Sequence, residues 1–190
     1  MVDFEQDIKN CIAALSAGGV ILYPTDTIWG LGCDATNAAA VQKIFDIKQR
    51  PANKSVIVLL AEGIDVLKYV AAPPPDIASI LESFDRPTTV IYEAGLGFAD
   101  GVTAENGSIG IRVTNDPFCK ALIKRFQKPI VSTSANISNL PSPANFSEID
   151  ALVKQGVDYA VKYRQRETTP HQASRIVKLD DLGNITILRG

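Results

Sequence analysis

The sequence predicts an α/β (α+β) fold: one domain, residues 1–190, on a twisted sheet of mixed parallel and antiparallel strands with flanking helices. Helix and strand patterns alternate through the first part of the chain, whereas strand patterns cluster towards its end. That order argues against a purely parallel doubly wound sheet. No repeat, low-complexity tract or long linker divides the 190 residues, a length that suits one sizeable core.

Residues 4–17 carry a helical stripe of Phe4, Ile8, Cys11, Ile12 and Leu15, with Asp3 as N-cap and Gly18-Gly19 as the stop. Residues 20–24 read as a strand, followed by a loop to Asn37, which caps a second helix bearing Val41, Ile44 and Phe45 on one face. Ser55–Leu60 is a continuous apolar strand, residues 64–70 a short helix, and residues 76–84 a further helix after the Pro73-Pro74-Pro75 run. Strands are expected at Thr88–Tyr92 and Ser108–Val113. Asp116-Pro117 then opens a helix through Phe126, with proline at the tolerated first turn. Pro129–Ser132 reads as a strand, and Ser147 with Asp150 resembles a capping box. Tyr159–Tyr163 has strand character, and Ser174–Leu179 with Asn184–Leu188 forms a hairpin around Gly183.

Composition excludes several classes. No apolar run approaches the roughly 20 residues of a membrane span, and MVDFEQDIKN does not read as a secretory signal. Cys11, Cys33 and Cys119 are odd in number and lack C-x-x-C pairing, which fits buried thiols in a reducing cytoplasm. A net charge of −2 argues against a generally basic nucleic-acid coat but leaves room for a local basic cleft.

The chemistry-bearing residues fall in a few segments. YPTDTIWGLG, at 23–32, opens a buried strand into Thr25, Asp26 and Thr27 and two glycines, Gly30 and Gly32, suited to tight or positive-φ backbone. Ligands of open α/β sheets lie beyond strand ends. Lys48 continues the stripe of Val41, Ile44 and Phe45, and Arg50 and Lys54 follow it. These cations are either a solvated helix C-terminus or a wall for phosphate or carboxylate. PIVSTSAN, at 129–136, ends a strand in Ser132, Thr133 and Ser134 and then Asn136, with Ser138 and Ser142 beyond. Those hydroxyls either bond local backbone or hold phosphate or ribose oxygens. Arg112, inside SIGIRV, either projects to solvent or clamps a carboxylate. His171 reads as a loop residue, and Trp29 and Phe45 are either packing residues, the favoured reading, or base-stacking groups. P-loop, G-x-G-x-x-G, nucleophile-elbow and metal-ligand spacings are absent from the sequence.

Taken together, YPTDTIWGLG, the K-x-R of Lys48 and Arg50 with Lys54, and STSAN at 132–136 resemble the YrdC-type threonylcarbamoyl-adenylate synthase family, from about Gly18 to Arg189. The resemblance implies a sheet curved around a concave, positively charged cleft. It also implies the reaction of L-threonine, bicarbonate and ATP to threonylcarbamoyl-AMP and pyrophosphate. Other threonylcarbamoyl-transferase proteins then act on tRNA, with weak tRNA or double-stranded RNA contact by this protein, and Mg²⁺ is expected on the phosphates. By position, Lys48 and Arg50 are the implied catalytic cations. Thr25, Arg112, Ser132 and Ser174 fall on the threonine side. Lys48, Arg50, Lys54, Ser108, Ser134, Asn136, Ser142 and Arg189 fall on the nucleotide side, and no residue is assigned to metal. The chain departs from the family pattern at FDRPTT, which leaves Pro87 and Thr89, and at Thr114 and Asp116 in place of proline and histidine. It departs again at Arg175, where threonine is usual. A non-catalytic RNA-binding module and a hydrolase of carbamoyl-type adenylates are the competing readings.

Overall fold

The computed structural model describes residues 4–50, 56–179 and 184–190. Lys54, Asp3, Ser55 and the Gly183 turn therefore lie outside the described residues. Six helices are seen among the described residues: α1 Glu5–Ser16, α2 Ala38–Lys48, α3 Val66–Tyr69, α4 Ile77–Glu82, α5 Pro117–Phe126 and α6 Ala151–Gly156. The strands are β1 Ile21–Tyr23, β2 Gly30–Gly32, β3 Ile57–Leu60, β4 Thr88–Tyr92, β5 Ile109–Val113, β6 Ile130–Ser134, β7 Tyr159–Ala160, β8 Arg175–Leu179 and β9 Ile185–Arg189.

These strands form one sheet in the order β7-β1-β2-β6-β3-β5-β4-β8-β9. β1–β7, β3–β5 and β4–β8 pair in parallel, and the remaining neighbours pair antiparallel. The mixed sheet is thus the predicted one, with the late hairpin β8–β9 paired antiparallel. α1 and α5 pack on one another and against β1, β7 and β3. Cys11, Cys33 and Cys119 are buried free thiols, and burial pushes each pKa up.

Local chemistry explains most boundaries. The Asn37 side chain accepts from Ala40 N, and Asp116 accepts from Cys119 N at 2.9 Å, each capping its helix. Gln49 closes α2 at φ 49°.

Several local expectations change, and the strand expected at 159–163 stops at Ala160. The loop expected between residues 24 and 37 contains β2, a Gly-Leu-Gly strand of weak intrinsic propensity that tertiary packing imposes. Neither of its glycines has positive φ. A Cβ on Gly32 would lie 2.7 Å from Tyr23 Cε1 and 3.0 Å from the Val131 carbonyl oxygen, so close approach, not turn geometry, requires glycine. The 129–132 strand runs on to Ser134, because β2 pairs with Thr133 and Ser134. The Ser147–Asp150 capping box does not form: Asp150 itself caps α6 through Leu152 N, and Asn145 takes the Ser147 amide and hydroxyl.

Candidate active site

Sheet register builds the site. Ser132 on β6 pairs with Ile57 on β3, Ile57 with Gly110 on β5, and Gly110 with Ile91 on β4. Directly opposed residues share a face, so these four form one row across four strands. They floor a cavity of about 350 Å³, within the usual range of small-molecule sites. Gly110 leaves the middle of the floor open, since a Cβ there would meet Ile57, Thr89 and Ile91 at 3.1–3.3 Å. Around the floor stand Thr25, Thr27, Trp29 and Gly30 from the β1–β2 segment, Arg50, Arg112, Ser134 and Ser142, and Ser174 and Arg189 from the tail.

Arg112 lies two residues after Gly110 on β5, so strand alternation turns it to the same face. It is 2% exposed, which overturns the solvent-projecting reading. Its Nη2 is 3.2 Å from Asp26 Oδ1, an ion pair without hydrogen-bond alignment, and 3.5 Å from Thr25 Oγ1. Its Nε is buried without a partner. The other carboxylate oxygen of Asp26 accepts from Thr114 Oγ1 and the Asn115 amide. Thr25 is also buried; its hydroxyl donates to the Ile28 carbonyl at 2.9 Å and accepts from Thr27 N at 3.1 Å. The strand exit is thus held by its own hydroxyls.

Lys48 has a different place from that of a wall cation. It is 1% exposed and is not among the cavity-lining residues. Its Nζ donates to the Ser134 carbonyl and, at 2.7 Å, to the Asn136 carbonyl. Burial, with a smaller contribution from Arg50, holds its pKa down to about 8. The ammonium ties the end of α2 to the end of β6 and so fixes the backbone that carries Ser134. Arg50 does line the cavity, and burial lowers its pKa. Asn136 acts on its own loop, donating to the Ile137 and Leu140 carbonyls at 2.9 and 2.7 Å.

In the tail, Ser174 Oγ lies 2.8 Å from Thr89 Oγ1, and the Ser174 carbonyl accepts from Arg189 Nη2 at 2.8 Å. Arg175 pairs with Asp85. The structure therefore brings Thr25, Arg50, Arg112, Ser132, Ser134, Ser142, Ser174 and Arg189 together on one cavity. Lys48, Asn136 and Ser108 are not on its lining, and Lys54 is outside the described residues.

Thr27 and Thr133, named in the sequence among the strand-exit hydroxyls but given no substrate role, also join the lining. The TDT and STS runs were the available signal for both. Trp29 packs on Phe146 with ring centroids 4.9 Å apart and also borders the cavity.

Three arginines and, among the described residues, no carboxylate line this space. The arrangement suits a small polyanion and a polar group at the Thr25 end. No cluster of three His, Cys, Asp or Glu that could hold a metal ion occurs among the described residues. No helix among them is long and apolar enough to cross a membrane.

A family model described as Telomere recombination, for the Sua5, YciO and YrdC proteins, matches residues 13–190. Threonylcarbamoyl-AMP synthase of Pseudoalteromonas translucida (strain TAC 125) is 36% identical over 160 residues, 83% of this chain and 86% of that protein. The protein of the same name from Vibrio parahaemolyticus serotype O3:K6 (strain RIMD 2210633) is 36% identical over 153 residues, 79% of this chain and 80% of that one. Among solved structures, P. abyssi Sua5 complexed with L-threonine superposes with a TM-score of 0.81 at 21% identity. That match covers 94% of this chain and 52% of the Sua5 chain, so this chain spans about half its length. E. coli YciO superposes with a TM-score of 0.79 at 23% identity, over 97% of this chain and 88% of that one. With the mixed sheet in place and the family model matched over nearly its whole length, the chain belongs to the Sua5/YciO/YrdC family.

Proposed function

We propose that this protein is a threonylcarbamoyl-AMP synthase, condensing L-threonine, bicarbonate and ATP to threonylcarbamoyl-AMP and pyrophosphate. The observation that carries the reading is the buried Arg112. It lines a cavity to which three arginines and no described carboxylate contribute. A guanidinium suits a carboxylate in particular. Curated relatives of the same name at 36% identity support the same reaction.

In this reaction the threonine amine adds bicarbonate, with loss of water, to form a carbamate. A carbamate oxygen then attacks the α-phosphorus of ATP, and the bond to pyrophosphate breaks. Holding repelling anions in line is the main demand, and fixed cations meet it without reorganisation.

Arg112 would take the threonine carboxylate, with Thr25, Ser132 and Ser174 receiving its polar groups. Arg50, Ser134, Ser142 and Arg189 would hold the nucleotide. Lys48 and Asn136 would act from behind by fixing the backbone of residues 134–140, and Lys54 and Ser108 remain with the nucleotide side. The described lining has no carboxylate that would hold Mg²⁺, so the ion belongs with the ATP substrate and no step here relies on it. Threonylcarbamoyl-transferase proteins would consume the adenylate, and weak contact with tRNA belongs to the same proposal, in the cytoplasm.

The test is pyrophosphate release in the presence of ATP, Mg²⁺ and bicarbonate, with and without threonine. Release that requires threonine is expected; release indifferent to threonine would sink the reading.

A further inference from the structure

Arg164 lies far in sequence from the motifs that drew attention to the cavity, and it does not line that cavity. It has φ of +65°, in the left-handed region that a non-glycine residue seldom occupies. Its side chain is only 13% exposed and uses every guanidinium nitrogen. Nη1 donates to the Thr25 carbonyl and to Asp116 Oδ2, each at 3.1 Å; Nε donates to Glu167 at 2.6 Å; and Nη2 lies 3.3 Å from His171 Nε2. The loop that carries it is pinned upstream, where Asp7 on α1 accepts from the Lys162 and Tyr163 amides.

Two polar chains leave the β5–α5 turn and end on the same strand exit. In one, Thr114 donates to Asp26, which pairs with Arg112. In the other, Asp116 holds Arg164, which holds the Thr25 carbonyl. Thr25 and Arg112 thus face the cavity while both are held from behind by residues 114–116. The space left between Arg164 and residues 24–29 is about 10 Å³, too small for a ligand on that side.

We infer that Arg164 is a positioning residue for the amino-acid end of the cavity, clamping the Thr25 carbonyl to Asp116 so that Thr25 and Arg112 keep their mutual geometry. The assignment of that end to threonine rests on the synthase reading; the clamp itself rests on the contacts above. A held backbone carbonyl at Thr25 fixes where its hydroxyl and the Asp26 carboxylate point. Loss of the clamp therefore acts on the amino-acid substrate and leaves the nucleotide end unaffected.

Three variants test this: Arg164→Ala, Arg164→Lys and Asp116→Asn, the last keeping a cap acceptor for Cys119 while removing the charge that Arg164 meets. In Arg164→Ala the KM for L-threonine is expected to rise about tenfold, the worth of one charge-assisted hydrogen bond, with kcat and the KM for ATP within about twofold. Arg164→Lys and Asp116→Asn fall between, and they carry the comparison if Arg164→Ala does not fold.

Backbone amide exchange of residues 25–30 in the ligand-free protein is expected to quicken in the same order, with α2 and β3 unchanged. Equal rises in both KM values, or exchange quickened throughout the chain, would make Arg164 a general stability residue and overturn the inference. Unchanged kinetics and exchange would overturn it as well. Wild-type protein without threonine-dependent turnover would reject the synthase reading alone, and the exchange of residues 25–30 would still decide the clamp.

Discussion

Arg112 and Lys48 are both buried cations, yet their surroundings give them opposite work. Arg112 lines the cavity with Asp26 as its acidic neighbour, and in the proposed reaction its guanidinium meets an anion. Lys48 directs its ammonium at two backbone carbonyls, so its charge serves the β6 exit. Arg112→Lys removes the planar fork and is expected to lower kcat/KM for threonine about 10- to 100-fold, with the KM for ATP little changed. Steady-state kinetics with each substrate varied would check this, and an equal loss for both substrates would contradict it.

For Lys48 the expectation concerns stability. Burial depresses its pKa from 10.5 to about 8, so between those values the unfolded chain binds a proton that the folded chain has released. Stability conferred by this residue therefore rises with pH through that window, as the penalty on the buried charge is lifted. Relative to Lys48→Met, the wild type should gain about 2 kcal/mol between pH 8 and pH 10 in urea unfolding. A difference that is flat with pH would place the ammonium in a better solvated site than the structure gives it.

β2 is the element whose existence depends most on its neighbours. Three residues, two of them glycine, have little reason to be a strand in isolation. Between β1 and β6 they are one, because only a missing Cβ lets the Tyr23 ring and the Val131 carbonyl come so near Gly32. Gly32→Ala is expected to cost about 1–3 kcal/mol by overpacking, read as a lower urea midpoint with an unchanged slope. A neutral result would show that β1 and β6 can separate without loss. The other elements announce themselves locally. Asn37 and Asp116 cap α2 and α5 as their side chains suggest, and the apolar runs become β3, β4 and β5 within about two residues of the expected ends. The capping box at Ser147 fails because Asn145 takes the serine and Asp150 is the cap itself.

At the scale of the whole molecule, the cavity joins parts of the chain that are far apart in sequence, from Thr25 to Arg189. Ligands that bind only this assembled state must stabilise the entire fold. ATP at about 100 times its Kd should add about 2.7 kcal/mol, or a rise in Tm of roughly 5–10 °C for a chain of this size. A threonine-dependent increment on top should vanish in Arg112→Lys while the ATP shift persists. A Tm insensitive to ATP would argue against a nucleotide in this cavity.

The mixed α/β sheet, the Asn37 and Asp116 caps and the residue types of the site are legible in the sequence. Periodicity, capping side chains and short motifs are local properties, written in neighbouring residues. The fold, by contrast, sets Ser132, Ile57, Gly110 and Ile91 in one row, puts the Lys48 ammonium on the Ser134 and Asn136 carbonyls, and brings Arg164 to Thr25 across 139 positions. Strand register and long-range hydrogen bonds are set by which elements pack together, and no short stretch of sequence encodes that choice.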